Sequence, residues 1–91
     1  MGKYFVYVLY SDAHSRYYVG QTNNLELRLQ RHNSGQVVST KPFRPWRFIF
    51  TAECENRAAA MKREKWLKSG AGLKFRKSLG EDIASRETGR P

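Results

Sequence analysis

From Tyr4 to Tyr10 the chain reads YFVYVLY, a run of aromatic and branched side chains. The same character returns from Tyr17 to Gln21 after a polar break, Ser11-Asp12-Ala13-His14-Ser15, of hairpin-loop length. The pattern predicts two antiparallel strands. Thr22, Asn23 and Asn24 are all suited to cap a helix; Leu25 and Leu29 then recur at helical spacing, and Ser34-Gly35 supplies a stop. A loop with prolines at 42 and 45 leads into Trp46-Arg47-Phe48-Ile49-Phe50-Thr51, which reads as a third strand. Asn56 is placed to cap a second helix from Arg57 to Lys68, closed by Ser69-Gly70, and a short third helix is expected near Leu73 to Leu79. The order β-β-α-β-α-α predicts a small α/β (α+β) domain, a three-stranded antiparallel sheet flanked by helices, occupying residues 1–80. The polar residues 81–91, above all those from Asp82, read as a frayed, flexible tail. No internal repeat or low-complexity segment interrupts this order.

Composition changes the picture in one respect above all. Ninety-one residues suffice for a single core and not for two. Seventeen Lys and Arg against eight Asp and Glu leave a formal charge of +9, a density that attracts polyanions. Nucleic acid is therefore the leading partner. One cysteine, Cys54, forms no internal disulfide and cannot build a zinc site with two scattered histidines, so a reducing compartment, the cytoplasm, is expected. The apolar opening MGKYFVYVLY is interrupted by tyrosines, is too short to span a bilayer and lacks a small-residue cleavage site, so no membrane association is expected. Val6 stands where a myristoylation signal needs Ser or Thr.

Chemistry is suggested at three places. On the first helix Arg28 and His32 fall in the sector of Leu25 and Leu29, so a cation and an imidazole flank the core-facing stripe; for an isolated pair, snorkelling at the edge of the core is the more ordinary reading. On the second helix Glu64 lies in the sector of Ala60, Met61 and Leu67. A carboxylate placed there needs a partner, either Lys68 at i+4 or a metal ion. In the strands Tyr7 shares a face with Phe5 and Leu9, Tyr18 stands two residues before Gly20 at the lip of the turn, and Tyr17 points to the other face. Core packing accounts for any one tyrosine alone. The segment Thr40-Lys41-Pro42-Phe43-Arg44-Pro45-Trp46 interleaves cations with aromatics, which suits either phosphate contact and base stacking or a stiff connector packed under the sheet.

Taken together these residues resemble the GIY-YIG nucleases, in their small single-domain bacterial branch. Phe5-Val6-Tyr7 stands for the first motif and Tyr18-Val19-Gly20 for the second, with ten residues between. Asn24-Leu25 leading to Arg28, then Arg31-His32-Asn33-Ser34-Gly35, and Ala60-Met61-Lys62-Arg63-Glu64 follow in order over residues 3–80. The resemblance implies a metal-dependent phosphodiesterase with Tyr18 near the attacking water, Arg28 on the scissile phosphate and Glu64 on one divalent ion, Mg²⁺ or Mn²⁺. Tyr7 would support the site, and His32 would assist proton transfer or touch substrate. Departures are Phe5 in place of the first-motif glycine, Gln21 where some members carry lysine, and no counterpart after Gly70 to a late asparagine. Gln21, Arg31, Lys41, Arg44 and Lys68 become the expected nucleic-acid contacts, with DNA ahead of RNA and both monomer and homodimer open.

The chemistry needs these residue types. Charge on the non-bridging oxygens is met by a guanidinium and a hard cation, and the water needs a base. A phenol is a poor base near neutrality unless cations favour its ionised form. One carboxylate makes a sparse site, so weak metal binding without substrate is expected. The competing expectation is a catalytically silent basic nucleic-acid-binding module. Such a module gains nothing from a carboxylate where phosphate should sit, which favours the nuclease.

Overall fold

The computed structural model describes residues 3–87. Three strands, β1 (Tyr4–Ser11), β2 (Arg16–Thr22) and β3 (Arg47–Cys54), and three helices, α1 (Leu25–Asn33), α2 (Arg57–Lys68) and α3 (Gly70–Glu87), follow in the order β-β-α-β-α-α, with a short 3-10 turn at Lys41–Phe43. The sheet is antiparallel throughout with strand order β2-β1-β3. The expected architecture is the one observed. Among the described residues no helix is long and apolar enough to cross a membrane.

The unbroken apolar run of the first strand has a direct cause. β1 is the central strand and is covered on both faces, so its side chains need not alternate with polar ones. Val6 and Val8 pack with Val19, Cys54, Ala60 and Leu67 beneath α2 and α3; Tyr7 and Leu9 pack with Trp46, Leu25 and Leu29 beneath α1. Tyr17 packs on the α2 side and Tyr18 on the α1 side, the opposite orientations their spacing predicts. Between Val8 and Leu9 the register with β3 shifts, Val8 facing Phe50 and Leu9 facing Phe48, so Ile49 is the extra residue of a bulge.

Both expected caps form. The Asn24 side chain accepts from the Leu27 amide at 3.1 Å and that of Asn56 from Ala59 at 2.9 Å. Phe43 and Trp46 pack into the core rather than presenting rings for stacking, and the Trp46 indole donates to the Thr40 carbonyl at 2.9 Å. Met61, expected on the apolar face of α2, is instead half exposed, and the buried residues of that helix are Ala60 and Leu67.

The third helix differs most from expectation. It begins at Gly70 and continues through 82–87, where a frayed tail was expected; residues 88–91 of that tail lie outside the described residues. Two local causes account for this. Ser69 serves both helices, its hydroxyl donating to the Trp66 carbonyl at 2.6 Å while its backbone carbonyl accepts from Leu73 at 2.9 Å. Gly72 lets the new helix pass close to the end of the old one, where a Cβ would strike the Trp66 and Leu67 carbonyls. Beyond Leu79, residues such as Ala84, Arg86 and Glu87 are good helix formers, with no proline before Pro91.

Candidate active site

The end of β2 is where the two faces of the sheet meet. Tyr18 and Gln21 are three residues apart and so project to opposite faces, Tyr18 toward α1 and Gln21 toward α2. Between them Gly20 is paired with Tyr7 of β1, whose phenol crosses the space that a side chain would take; a Cβ on Gly20 would lie 2.5 Å from the Tyr7 hydroxyl oxygen. The glycine is thus required by close approach. An open cleft of about 430 Å³ wraps around this strand end. It brings together Tyr18, Gln21, Arg28 and Glu64, and adds Tyr4 and Arg57, which the sequence pattern had not singled out.

Tyr7 and His32 do not line the cleft; both are fully buried beneath it. They belong to a chain of hydrogen bonds whose direction is set by its two ends. The Arg28 Nε–H can only donate, and it donates to the Tyr7 hydroxyl oxygen at 3.2 Å. The Tyr7 proton is then directed to His32 Nε2 at 3.0 Å, which leaves Nδ1 as the protonated nitrogen, donating to Thr40 Oγ1 at 2.8 Å. Thr40 in turn donates to the Val37 carbonyl, an obligatory acceptor, at 3.3 Å. Every polar atom in the series is used once in each role it can play.

The electrostatics agree with this assignment. Burial, joined by the nearby positive charge of Arg28, pushes the His32 imidazole down to about 4, so it is neutral near pH 7. Burial likewise raises the Tyr7 phenol above its ordinary value, against the opposing effect of Arg28, so Tyr7 stays protonated and able to donate. The hydrogen bond to Tyr7 strengthens the hold of Arg28 on its proton, with a further contribution from Tyr18. Direct contact of His32 with substrate, one of the two roles expected for it, is incompatible with its burial. Its reach to the cleft runs through Tyr7 to Arg28.

Glu64 occupies the buried stripe of α2 between Ala60 and Leu67, its side chain about one-fifth exposed. Its two oxygens are both engaged. Oε1 accepts from Gln21 Nε2 at 2.8 Å across 43 positions of sequence, and Oε2 is 2.9 Å from Lys68 Nζ at i+4. Gln21 and Lys68, expected as nucleic-acid contacts, are therefore partners of the carboxylate. The amide oxygen of Gln21, Oε1, is buried and accepts no hydrogen bond. Beside Glu64 it makes a second hard-oxygen donor, so the residues fit a sparsely ligated divalent cation. Among the described residues there is no group of three or more His, Cys, Asp or Glu to hold a metal more completely.

Arg31, Lys41 and Arg44, the remaining expected contacts, do not line the cleft. Arg31 is exposed near the end of α1, Arg44 donates to the Lys41 carbonyl at 2.9 Å, and both Lys41 and Arg44 lie against Gly35. Asn33 was quoted only as part of a motif, yet it fastens the end of α1 to the residue that leads into β3: its amide nitrogen donates to the Trp46 carbonyl at 3.0 Å and its amide oxygen accepts from the Trp46 N–H at 2.7 Å. Nothing local distinguishes Asn33 or Thr40; their partners lie 13 and 8 positions away.

Comparison with known proteins places this geometry in context. The profile of the GIY-YIG catalytic domain matches residues 3–74. The chain is 35% identical over 80 residues to a UPF0213 protein of Lactococcus lactis, covering 87% of this chain and 76% of that one. It is 32% identical over 87 residues to a UPF0213 protein of Natronomonas pharaonis, with 94% and 95% covered. In three dimensions it is similar to the solution structure of a UPF0213 protein from Bacillus halodurans, with a TM-score of 0.50, 26% identity, and 85% and 84% of the two chains covered.

Proposed function

The chain belongs to the GIY-YIG catalytic-domain family, and on that premise we propose that it is a divalent-metal-dependent endonuclease that hydrolyses phosphodiester bonds of DNA. The observation that carries the reading is the convergence of Tyr18, Arg28 and Glu64, from β2, α1 and α2, on one open cleft.

Arg28 is the group for the scissile phosphate. Its Nε is committed to Tyr7, which fixes the guanidinium plane, Tyr18 is a second hydrogen-bonding neighbour on the cleft side, and among the described residues it has no carboxylate partner, so its charge is available to the non-bridging oxygens where charge grows. Such a donor, held before substrate arrives by Tyr7, His32 and Thr40, costs little reorganisation during reaction. The Tyr18 phenol is the group beside the attacking water, which it orients; once its own proton has passed to solvent, the phenolate oxygen takes the proton of the water. Glu64 and the Gln21 amide oxygen would hold Mg²⁺ or Mn²⁺, which would supply Lewis-acid neutralisation of phosphate charge. Lys68 must release Glu64 for this to occur. A single free thiol, Cys54, accords with work in the reducing cytoplasm.

One observation favours a second reading. Because both Glu64 oxygens already have partners, a silent module that binds nucleic acid through its net charge alone needs no metal. Incubation of labelled single-stranded, duplex and branched DNA with Mg²⁺, Mn²⁺ or EDTA, wild type beside Glu64→Ala, separates the two. Metal-dependent products that disappear in the variant support the nuclease. Mobility shifts without cutting in every condition replace it with the binding module.

A further inference from the structure

The charges lining the cleft do not balance. Glu64 is its carboxylate, and Lys68 already answers that charge at 2.9 Å. Two guanidiniums remain. Arg28 is partly buried and committed by Tyr7 to one position. Arg57, the first residue of α2, is exposed, lines the same cleft, and among the described residues has neither an ion pair nor a hydrogen-bonded partner.

The fold makes no use of Arg57. The capping bond of α2 is made by Asn56, and the core contacts of that helix come from Ala60 and Leu67. A cation in a first helical turn is also disfavoured by the helix dipole, so the residue works slightly against its own helix. A cleft that already has one oriented guanidinium for the reacting phosphate and retains a second, uncompensated one is suited to two monoanions rather than one.

We propose that Arg57 forms a second phosphate subsite, which takes the phosphodiester neighbouring the scissile one on the same strand. This rests on the nuclease reading for the position of the scissile phosphate. It deepens that reading by making the recognised unit a strand with consecutive phosphates, not an isolated phosphodiester. Arginine suits the task, since its planar fork can grip two oxygens of one phosphate.

The test compares wild type, Arg57→Gln and Arg57→Lys on two substrates: a short labelled single strand, and a p-nitrophenyl ester of thymidine 5′-phosphate, which carries one phosphodiester. For the strand, Arg57→Gln is expected to raise KM by about tenfold, the equivalent of ~1.4 kcal/mol, with kcat kept and with Arg57→Lys intermediate. Turnover of the single phosphodiester should be unchanged. Equal losses on both substrates, or none on either, overturn the proposal.

A binding measurement separates its failure from that of the hydrolytic reading. Fluorescence anisotropy of the same strand over a range of salt, in EDTA, should show weaker binding by Arg57→Gln and a slope of log K against log salt shallower by about 0.7. If wild type cuts nothing, the nuclease reading falls while this slope still decides the subsite. An unchanged affinity and slope overturn it.

Discussion

The hydroxyl of Tyr7 lies 3.0 Å from Nε2 of His32, and both side chains are wholly removed from solvent. A tyrosine and a histidine that the family resemblance leads us to expect at the site are thus joined under the floor of the cleft, with Arg28 hydrogen-bonded to the tyrosine.

Stability should therefore depend on pH through His32. Its imidazole titrates near 6.5 when unfolded and at about 4 in the fold, so between those values the unfolded chain binds the extra proton. The stability contributed by neutral His32 is complete above pH 6.5 and is lost as pH falls towards 4, about 3 kcal/mol over the interval. Denaturant midpoints between pH 7 and 4.5 should fall accordingly, and nitrogen NMR should show the neutral, Nδ1-protonated ring throughout. A charged His32 at pH 5.5 would contradict the assignment.

The two tyrosines should part company on mutation. Tyr18→Phe removes a hydroxyl from the cleft wall and is expected to abolish cleavage with little change in Tm. Tyr7→Phe strands a buried His32 nitrogen, which costs about 1–3 kcal/mol, and it frees the guanidinium of Arg28. Thermal unfolding of both variants beside their turnover decides the matter; the opposite pattern would exchange their roles.

Replacing Lys68 should strengthen metal binding. Lys68→Met keeps the aliphatic stem but leaves Glu64 without its counter-ion, and an i,i+4 pair whose lysine is half exposed contributes about 0.5 kcal/mol to stability. The Mn²⁺ concentration for half-saturation, read by water relaxation without DNA, should fall at least about twofold, the factor matching that energy. A rise would contradict the competition between Lys68 and the ion for Glu64.

Asn33→Ala is expected to destabilise the fold by about 2–3 kcal/mol, because it orphans both the N–H and the carbonyl of Trp46. Urea unfolding measures this directly, and a loss below 0.5 kcal/mol, the range about typical of exposed surface changes, would show that water replaces the clamp.

Much of this was legible in the chain because it is local. Strand runs, the Asn24 and Asn56 caps and the position of Glu64 between Ala60 and Leu67 follow from spacings of a few residues. The convergence of Tyr18, Arg28 and Glu64 was legible only through family resemblance, since nothing local ties them. What escaped depends on tertiary register. Gln21 reads as a surface contact until β2 is set beside α2, and Arg57 reads as an ordinary helix start until the cleft is seen to reach it. His32 reads as amphipathic because a helical stripe shows which face is covered, not how deeply. The third helix ran past its expected end because polar composition alone does not stop a helix made of good formers.

Gly20 and Tyr7 face each other with no space to spare, so position 20 cannot gain a side chain while the ring of Tyr7 is in place. Among relatives the two should drift as a pair. A chain that has given up the aromatic ring at position 7 regains room for alanine at position 20, whereas one that keeps the ring is held to glycine, because its Cζ as well as its hydroxyl oxygen would lie within 2.6 Å of a Cβ there. The second motif's glycine is in this sense an imprint of the first motif's tyrosine, and a double-mutant cycle between them should be strongly non-additive.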